Sequence, residues 1–294
     1  MAADGVRRVR LDRALVDRGL ARSRGQAREL IEAGAVQVDG VAARRVAGLV
    51  TPEQSLRLQP HAALPRPNTA EPADPGDSFH EVGRGYRKLA HALHTWPEFA
   101  SAVAGAHCLD AGASTGGFTQ ALLQWGAAQV DAVDVGHAQL DARLRADPRV
   151  RERSGTNVRN LGAADAAAYD VVVADLSFIS LSVVLGPLRQ VCRPVGQAIF
   201  LVKPQFEVGR ERLPRSGVVR SPQDRAGAVH QVVDQAQATG WGLAGLAASP
   251  LPGGSGNREF LVWLCDPAST RLSRDAVRSA VWAVVVGDKP VREP

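Results

Sequence analysis

The sequence predicts an α/β protein with a doubly wound, mostly parallel sheet, preceded by a small α+β module. From about residue 82, buried strand-like runs alternate with helical patterns, which favours a parallel sheet covered by helices. The first 60 residues instead combine helical spacing with a hairpin signal and many arginines. Residues 61–81 include four prolines and little apolar periodicity, so we expect a linker between two domains.

The first module, residues 1–60, is predicted to contain two helices and a hairpin. Apolar residues at helical spacing place the helices near residues 11–20 and 23–34, and Asp39-Gly40 is typical of a tight hairpin turn. Residues 1–48 hold ten arginines against six acids, and therefore most of the net charge of +5. This pattern fits either a solvated helix face or an RNA-binding unit. The candidate RNA-binding residues are Arg10, Arg13, Arg22, Arg24 and Arg28.

Composition excludes several classes of protein. The three cysteines stand far apart without a C-x-x-C pair, so we expect neither a disulfide framework nor a cysteine zinc site. The amino terminus lacks the apolar core of a signal peptide, and no apolar run is long enough for a membrane span. We therefore expect a cytoplasmic protein without a metal.

The second domain, residues 82–268, reads as alternating strands and helices, followed by a tail at residues 269–294, in which TRLSRDAVRSAVWAVVV favours a short helix. The two late apolar runs suggest that the last strand inserts antiparallel to its neighbours. The predicted strands cover residues 106–112, 129–136, 169–177, 197–203, 241–249 and 258–265.

A glycine-rich segment, LDAGASTGGFT, follows the first of these strands and opens a helix. Small residues there let the backbone approach a ligand closely. Asp134 ends the next strand, where an acid binds the ribose hydroxyls of a nucleoside cofactor. The cofactor-binding candidates are Asp110, Gly112, Ser114, Thr115, Gly116, Gly117, Phe118, Asp134 and Val135.

Several ligands and activities compete for this segment. Ser114 replaces the second glycine of the dinucleotide fingerprint, and no G-K-[ST] follows for a P-loop. The segment also fits the G-x-S-x-G elbow of a serine hydrolase, with Ser114, Asp175 and His230 in the chain order of a triad. S-adenosylmethionine (SAM) has a ribose but no phosphate, so it requires the acid and a compact turn without a phosphate fingerprint.

The lysines point to a second group of residues at the same edge of the sheet. Only three of the 35 cationic residues Lys and Arg are lysine, and two of these, Lys88 and Lys203, lie at predicted strand-edge positions. Asp175 ends one strand and Glu259 begins another, so the four side chains are expected to converge. Each alone also has a structural interpretation, as a helix cap or a surface charge. Unlike arginine, a lysine whose pKa is lowered by a neighbouring cation acts as a general base.

Six motifs in order, CLDAGASTGGFTQALLQWGA, DVG, VVADLSFISL, LVKPQFEVGR, GVVR and GN-x-EF, resemble the TlyA family. The amino-terminal RLDRALVDRGLARSRGQARELIEAGAVQVDG is similar to the alpha-L RNA-binding domain. The resemblance implies a Rossmann-like SAM-dependent methyltransferase domain of the FtsJ type. Its expected substrate is the 2′-hydroxyl of cytidines in 16S or 23S ribosomal RNA, within ribosomal subunits.

The family resemblance also implies roles for individual residues. Its Lys-Asp-Lys-Glu tetrad falls on Lys88, Asp175, Lys203 and Glu259, with Lys203 as the base. The sequence departs from the family pattern at Gly83, in FHEVGRGYRKL. The family has serine at this position, before its first lysine. The family is also named for haemolysis, but the sequence offers neither a membrane span nor a strongly amphipathic basic helix.

Overall fold

The computed structural model describes residues 8–21, 27–28, 30–31, 36–43, 45–58, 81–161, 165–209, 211–272 and 274–287. The chain divides into two compact units, residues 1–79 and 80–294. The linker expected at residues 61–81 lies outside the described residues except for Glu81.

The first unit has its own small core. Strand β1 (Val9–Arg10) leads into helix α1 (Leu11–Asp17), and helical turns recur at residues 27–28 and 30–31. Strands β2 (Val36–Val38), β3 (Val41–Ala42), β4 (Leu49–Val50) and β5 (Leu56–Leu58) complete it. The predicted hairpin is confirmed: β2 and β3 pair across Asp39-Gly40, and both turn residues have positive φ, 51° and 82°.

The second unit is built on one seven-stranded sheet. Its strands are β6 (His107–Ala111), β7 (Gln129–Asp134), β8 (Val150–Ser154), β9 (Tyr169–Ala174), β10 (Cys192–Val202), β11 (Gly242–Ala248) and β12 (Phe260–Cys265). Their order in the sheet is β11-β12-β10-β9-β6-β7-β8. Strand β12 pairs antiparallel with both β10 and β11, which confirms the inserted last strand. The other pairings are parallel, as the alternation of strands and helices predicts.

Helices cover both faces of this sheet. They are α2 (Gly85–Thr95), α3 (Pro97–Val103), α4 (Gly117–Gln124), α5 (Ala142–Ala146), α6 (Leu185–Val191), α7 (Pro204–Glu207), α8 (Pro222–Ala238) and α9 (Arg274–Val286). Helices α2, α3 and α4 pack on one face, and α6, α8 and α9 pack on the other. Successive strand residues alternate between these two cores, so the strands read as continuous apolar runs.

Three features differ from the sequence-based prediction. Strand β8 was not predicted, because Val150–Ser154 is the polar sequence VRERS at an edge of the sheet. Helix α2, which carries Lys88, precedes the first strand of the sheet and was not assigned. The short helix expected in the tail, residues 269–294, is present as α9, but its apolar side belongs to the core of the domain rather than to a separate tail.

Candidate active site

The site lies where the winding of the sheet reverses. Strands β6 and β9 are neighbours, and the chain continues from them toward opposite edges of the sheet. Gly112 directly follows β6 and has φ of 85°. A Cβ on this glycine would lie 2.9 Å from the carbonyl oxygen of Asp175. The Asp175 amide donates in turn to the Ala111 carbonyl, at 3.1 Å. The two strand ends thus meet at the switch point where doubly wound sheets bind ligands.

Asp134 holds the glycine-rich loop in place. One carboxylate oxygen accepts from the amide of Ser114 at 2.8 Å, and the other accepts from the amide of Gly136 at 2.7 Å. Ser114 is thereby fixed at φ of 48°, unusual for a residue with a side chain. Each carboxylate oxygen keeps a further lone pair for another donor, such as a ribose hydroxyl.

Asp110 lies beneath the loop, fully buried on β6. Its Oδ2 accepts from the hydroxyl of Thr119 at 2.7 Å, which ties the strand to helix α4. Its Oδ1 has no hydrogen-bond partner among the described residues. Burial raises the pKa of Asp110 to about 7, because an unsolvated carboxylate is costly.

The loop also positions the helix that carries Lys88. A Cβ on Gly117 would lie 2.6 Å from the amide nitrogen of Tyr86, so helix α2 packs directly on the start of α4. Gly85 faces Phe118 across the same contact, and Phe118 is buried. A Cβ on Gly83 would lie 2.6 Å from Thr115 Oγ1. Gly83, which replaces the serine of the family pattern, therefore lies against the glycine-rich loop.

The four predicted tetrad residues form one continuous chain of charges. Lys88 Nζ lies 2.8 Å from Glu259 Oε2 and 3.5 Å from Asp175 Oδ2. Lys203 Nζ lies 2.6 Å from Asp175 Oδ1. Both lysines and Glu259 are buried, and Asp175 is nearly so. The convergence expected from strand ends is therefore present, beside Gly112.

The two lysines are not equivalent. Burial alone would lower the pKa of Lys88, but the carboxylates of Asp175 and Glu259 outweigh it and raise that pKa. Likewise, burial would raise the pKa of Asp175, but Lys203 and Lys88 hold it below its usual value. The lowered pKa expected of a lysine beside another cation does not occur at Lys88, because carboxylates outnumber its cationic neighbours. Lys203 has one carboxylate partner and donates to the neutral hydroxyl of Ser177 at 2.8 Å.

Two buried residues that the sequence does not single out fix the loops of the site. Glu207, four residues after Lys203, accepts from the Ser180 hydroxyl at 2.6 Å and the Leu181 amide at 2.9 Å. Asn257, two residues before Glu259, accepts from the Val219 amide and donates to the Gly217 carbonyl, both at 2.9 Å. Asn257 thus joins the motifs GVVR and GN-x-EF.

An aromatic pair lies at the rim of the tetrad. Phe178, three residues after Asp175, is 91% exposed and has φ of 65°. Its ring centroid is 5.4 Å from that of Phe206, three residues after Lys203. A positive φ is uncommon for a residue with a bulky side chain.

The hydrolase triad is not assembled. Ser114 Oγ donates to Gln139 at 3.3 Å, and Asp175 is engaged by two lysines. His230 lines a cavity with Asp234 and Arg278, between α8 and α9. Among the described residues, no hydrogen bond joins Ser114 to His230 or His230 to Asp175.

The candidate RNA-binding arginines of the first unit are placed only in part. Arg10 forms two hydrogen bonds with Asp12, at 3.0 and 3.1 Å, and Arg13 lies 3.5 Å from Asp17. Arg28 is exposed in a helical turn. Arg22 and Arg24 lie outside the described residues.

Family models match both units. The model of the FtsJ-like methyltransferase matches residues 82–265, and that of the S4 domain matches residues 9–55. The chain is 47% identical over 276 residues to the 16S/23S rRNA (cytidine-2'-O)-methyltransferase TlyA of Mycobacterium tuberculosis, covering 94% of this chain and 96% of the relative. The chain belongs to the TlyA family of FtsJ-like methyltransferases.

Further members of the family have hemolysin names. Hemolysin A of Brachyspira hyodysenteriae is 30% identical over 255 residues, which cover 86% of this chain and 98% of that protein. A hemolysin-named structure from Streptococcus thermophilus superimposes with a TM-score of 0.68 at 33% identity, covering 96% of each chain. In the described part of this chain, no helix is long and apolar enough to span a bilayer. The described residues also contain no cluster of three or more acidic, histidine or cysteine side chains arranged for a metal.

Proposed function

We propose that this enzyme transfers a methyl group from SAM to the 2′-hydroxyl of a cytidine in ribosomal RNA. The observation that carries the proposal is the buried chain Glu259–Lys88–Asp175–Lys203 beside the glycine-rich loop. The 47% identity to a TlyA that methylates cytidine ribose in both rRNAs supports the substrate. The S4 domain supports an RNA substrate independently.

The residues at the switch point fit SAM. Gly112 leaves no room for a side chain against the Asp175 backbone, so the glycine-rich loop packs closely on the end of β9 beside the tetrad. Asp134 fixes this loop and retains lone pairs for ribose hydroxyls. Asp110 supports the loop from below through Thr119, and Phe118 and Val135 flank it. Thr115, Gly116 and Gly117 complete the proposed binding segment.

The chemistry assigned to Lys203 is proton acceptance. SAM would supply a methyl group on a sulfonium sulfur, and the C–S bond would break as the new C–O bond forms. Lys203 Nζ is assigned to take the proton that the 2′-hydroxyl loses in this transfer and to pass it on to water. Asp175 and Ser177 orient Lys203. Lys88 stays charged between two carboxylates and holds Asp175, so it is the poorer base.

The exposed ring of Phe178 suits a flipped target base. A cytidine must leave its stack for its ribose to reach the tetrad, and unstacked bases pack on aromatic side chains. Phe178 extends the loop that follows Asp175, and Phe206 supports it. The arginines of the first unit, Arg10, Arg13, Arg22, Arg24 and Arg28, are assigned to phosphate contacts that position the RNA.

Mapping of ribose methylation tests the proposal. Purified 30S and 50S subunits from cells that lack this protein are incubated with the enzyme and methyl-labelled SAM. We expect label at the 2′-oxygen of a cytidine in at least one rRNA. Label on a base, or SAM that does not bind, would contradict the proposal.

A further inference from the structure

The methyltransferase domain has four arginines close together in the sequence that lack acidic partners among the described residues. Residues 209–221 include exposed Arg212, Arg215 and Arg220, and Arg225 follows in the first turns of α8. Within the described part of the chain, none of these four forms an ion pair with a carboxylate. Several arginines elsewhere in the same domain are paired with carboxylates: Arg87 with Glu81, Arg145 with Glu152, Arg149 with Asp147, and Arg153 with Asp165.

Arg225 is the least compensated member of the group. Its Nε is buried and has no hydrogen-bond partner among the described residues. Burial and the nearby charge of Arg258 both lower the pKa of Arg225. A phosphate beside Arg225 would supply the acceptor that its buried Nε lacks.

The segment is tied to the active site by Asn257. This side chain bonds to the backbone at Gly217 and Val219, and it stands two residues before Glu259. Arg258 lies between Asn257 and Glu259. The cationic segment therefore borders the strand end that carries a member of the tetrad, where the backbone of a bound polynucleotide would pass.

We infer that Arg212, Arg215, Arg220 and Arg225, with Arg258, form a second RNA phosphate-binding surface that holds the strand next to the target nucleotide. This inference rests on the proposed function and deepens it, because it places part of the RNA-binding surface on the catalytic domain in addition to the S4 domain. The arginines are suited to phosphate because the guanidinium offers a planar fork of donors.

Salt-dependent binding of the full-length chain tests this surface. The variant R215Q/R220Q is compared with R159Q/R278Q, which removes two exposed arginines from other parts of the domain. Transcripts of 16S and 23S rRNA serve as probes. Loss of two phosphate contacts should lower the slope of log K against log salt by about 1.4. Affinity should fall about tenfold at moderate salt, while SAM affinity stays within twofold.

Arg225→Gln separates binding from folding. Because Arg225 is a repelled charge, its replacement should leave the melting temperature unchanged or raise it, and RNA affinity should fall. A lower melting temperature with unchanged RNA affinity would assign Arg225 a structural role and overturn the inference. So would equal losses in R215Q/R220Q and R159Q/R278Q, or an effect of R215Q/R220Q confined to vesicles of anionic phosphatidylglycerol. These binding measurements do not depend on turnover, so failure of methyl transfer in the wild type would count against the proposed function alone.

Discussion

Lys203 and Lys88 lie in the same charge network but contact different numbers of carboxylates. Lys88 contacts two carboxylates, whereas Lys203 contacts one carboxylate and a hydroxyl. Lys203→Arg should keep the ion pair with Asp175 but remove the base, since arginine does not lose its proton. We expect both this variant and Lys203→Ala to lose roughly 100-fold or more of methyl transfer. SAM affinity, measured by calorimetry, should stay within about threefold for Lys203→Arg.

Ser177→Ala is the matched control for Lys203. It removes one hydrogen bond to the ammonium group and leaves the ion pair intact. It should therefore reduce the rate far less than Lys203→Arg. An active Lys203→Arg enzyme would show that position 203 supplies charge alone.

Asp110 makes the stability of the fold sensitive to pH. Its pKa is raised to about 7 by burial, from an ordinary value of 3.8. Between these values the folded chain binds a proton that the unfolded chain does not, so the free energy of unfolding should fall as pH rises from about 4 to 7. Asp110→Asn should flatten this decline by an amount on the order of a few kcal/mol. Urea denaturation at several pH values measures it.

The control for Asp110 is Asp234→Asn, at an exposed position on α8. This variant should keep the pH dependence of the wild type. An unchanged slope in Asp110→Asn would mean that Asp110 is charged in the folded protein throughout this range.

At the scale of elements, the contact between α2 and α4 decides where Lys88 lies. A Cβ at Gly117 meets the backbone of Tyr86 at 2.6 Å, so Gly117→Ala forces α2 to move. We expect a loss of about 1–3 kcal/mol in unfolding free energy and a drop in methyl transfer, since Lys88 moves with the helix. Thermal denaturation and a methylation assay measure the two effects.

Gly83→Ala is the matched comparison for Gly117→Ala. Its Cβ also has a neighbour at 2.6 Å, but that neighbour is the Thr115 hydroxyl, which rotates about one bond. We expect a smaller loss of stability at position 83. Equal losses at both positions would show that the Thr115 side chain is fixed as firmly as backbone.

Helix α9 contributes stability rather than chemistry. Val281 is completely buried in the core of the domain, while Val286 on the same helix is 56% exposed. Val281→Ala should cost about 2 kcal/mol, because it removes buried methyl groups and leaves a cavity. Val286→Ala should be close to neutral in the same denaturation experiment. Equal effects would mean that α9 does not pack on the domain in solution.

The elements that could be predicted are those whose signal lies within a few consecutive residues of the sequence. Buried parallel strands are recognisable from apolar runs such as VVVA. The meeting of Asp175 and Lys203 was predictable because the carboxyl ends of parallel strands share one edge. Strand β8 has no such run, because as an edge strand it has a neighbour on one side only and leaves its side chains partly exposed. Glu207 and Asn257 escaped prediction because their partners lie 26 to 40 residues away in sequence.

At the scale of the whole molecule, the two units have separate cores. The core of the first unit draws on residues between Leu11 and Leu56, and the cores of the second begin at Leu89. No core cluster of the described residues takes members from both units. The fragment 81–294 should therefore fold alone and bind SAM as the full chain does.

Removal of the first unit should weaken binding of the RNA substrate and leave the rate of the chemical step unchanged. The fragment 81–294 keeps the tetrad and the glycine-rich loop but loses the S4 domain, which matches residues 9–55. We expect KM for ribosomal subunits to rise at least about tenfold, because RNA docking would then rely on the catalytic domain alone. Adding the first unit as a separate protein should not restore the KM of the full chain, since covalent linkage supplies the effective concentration. Steady-state methylation kinetics measure KM for the fragment alone and for the fragment with the added first unit. A fragment with the KM of the full chain would place RNA recognition on the methyltransferase domain, and the arginines of residues 209–225 would then carry it.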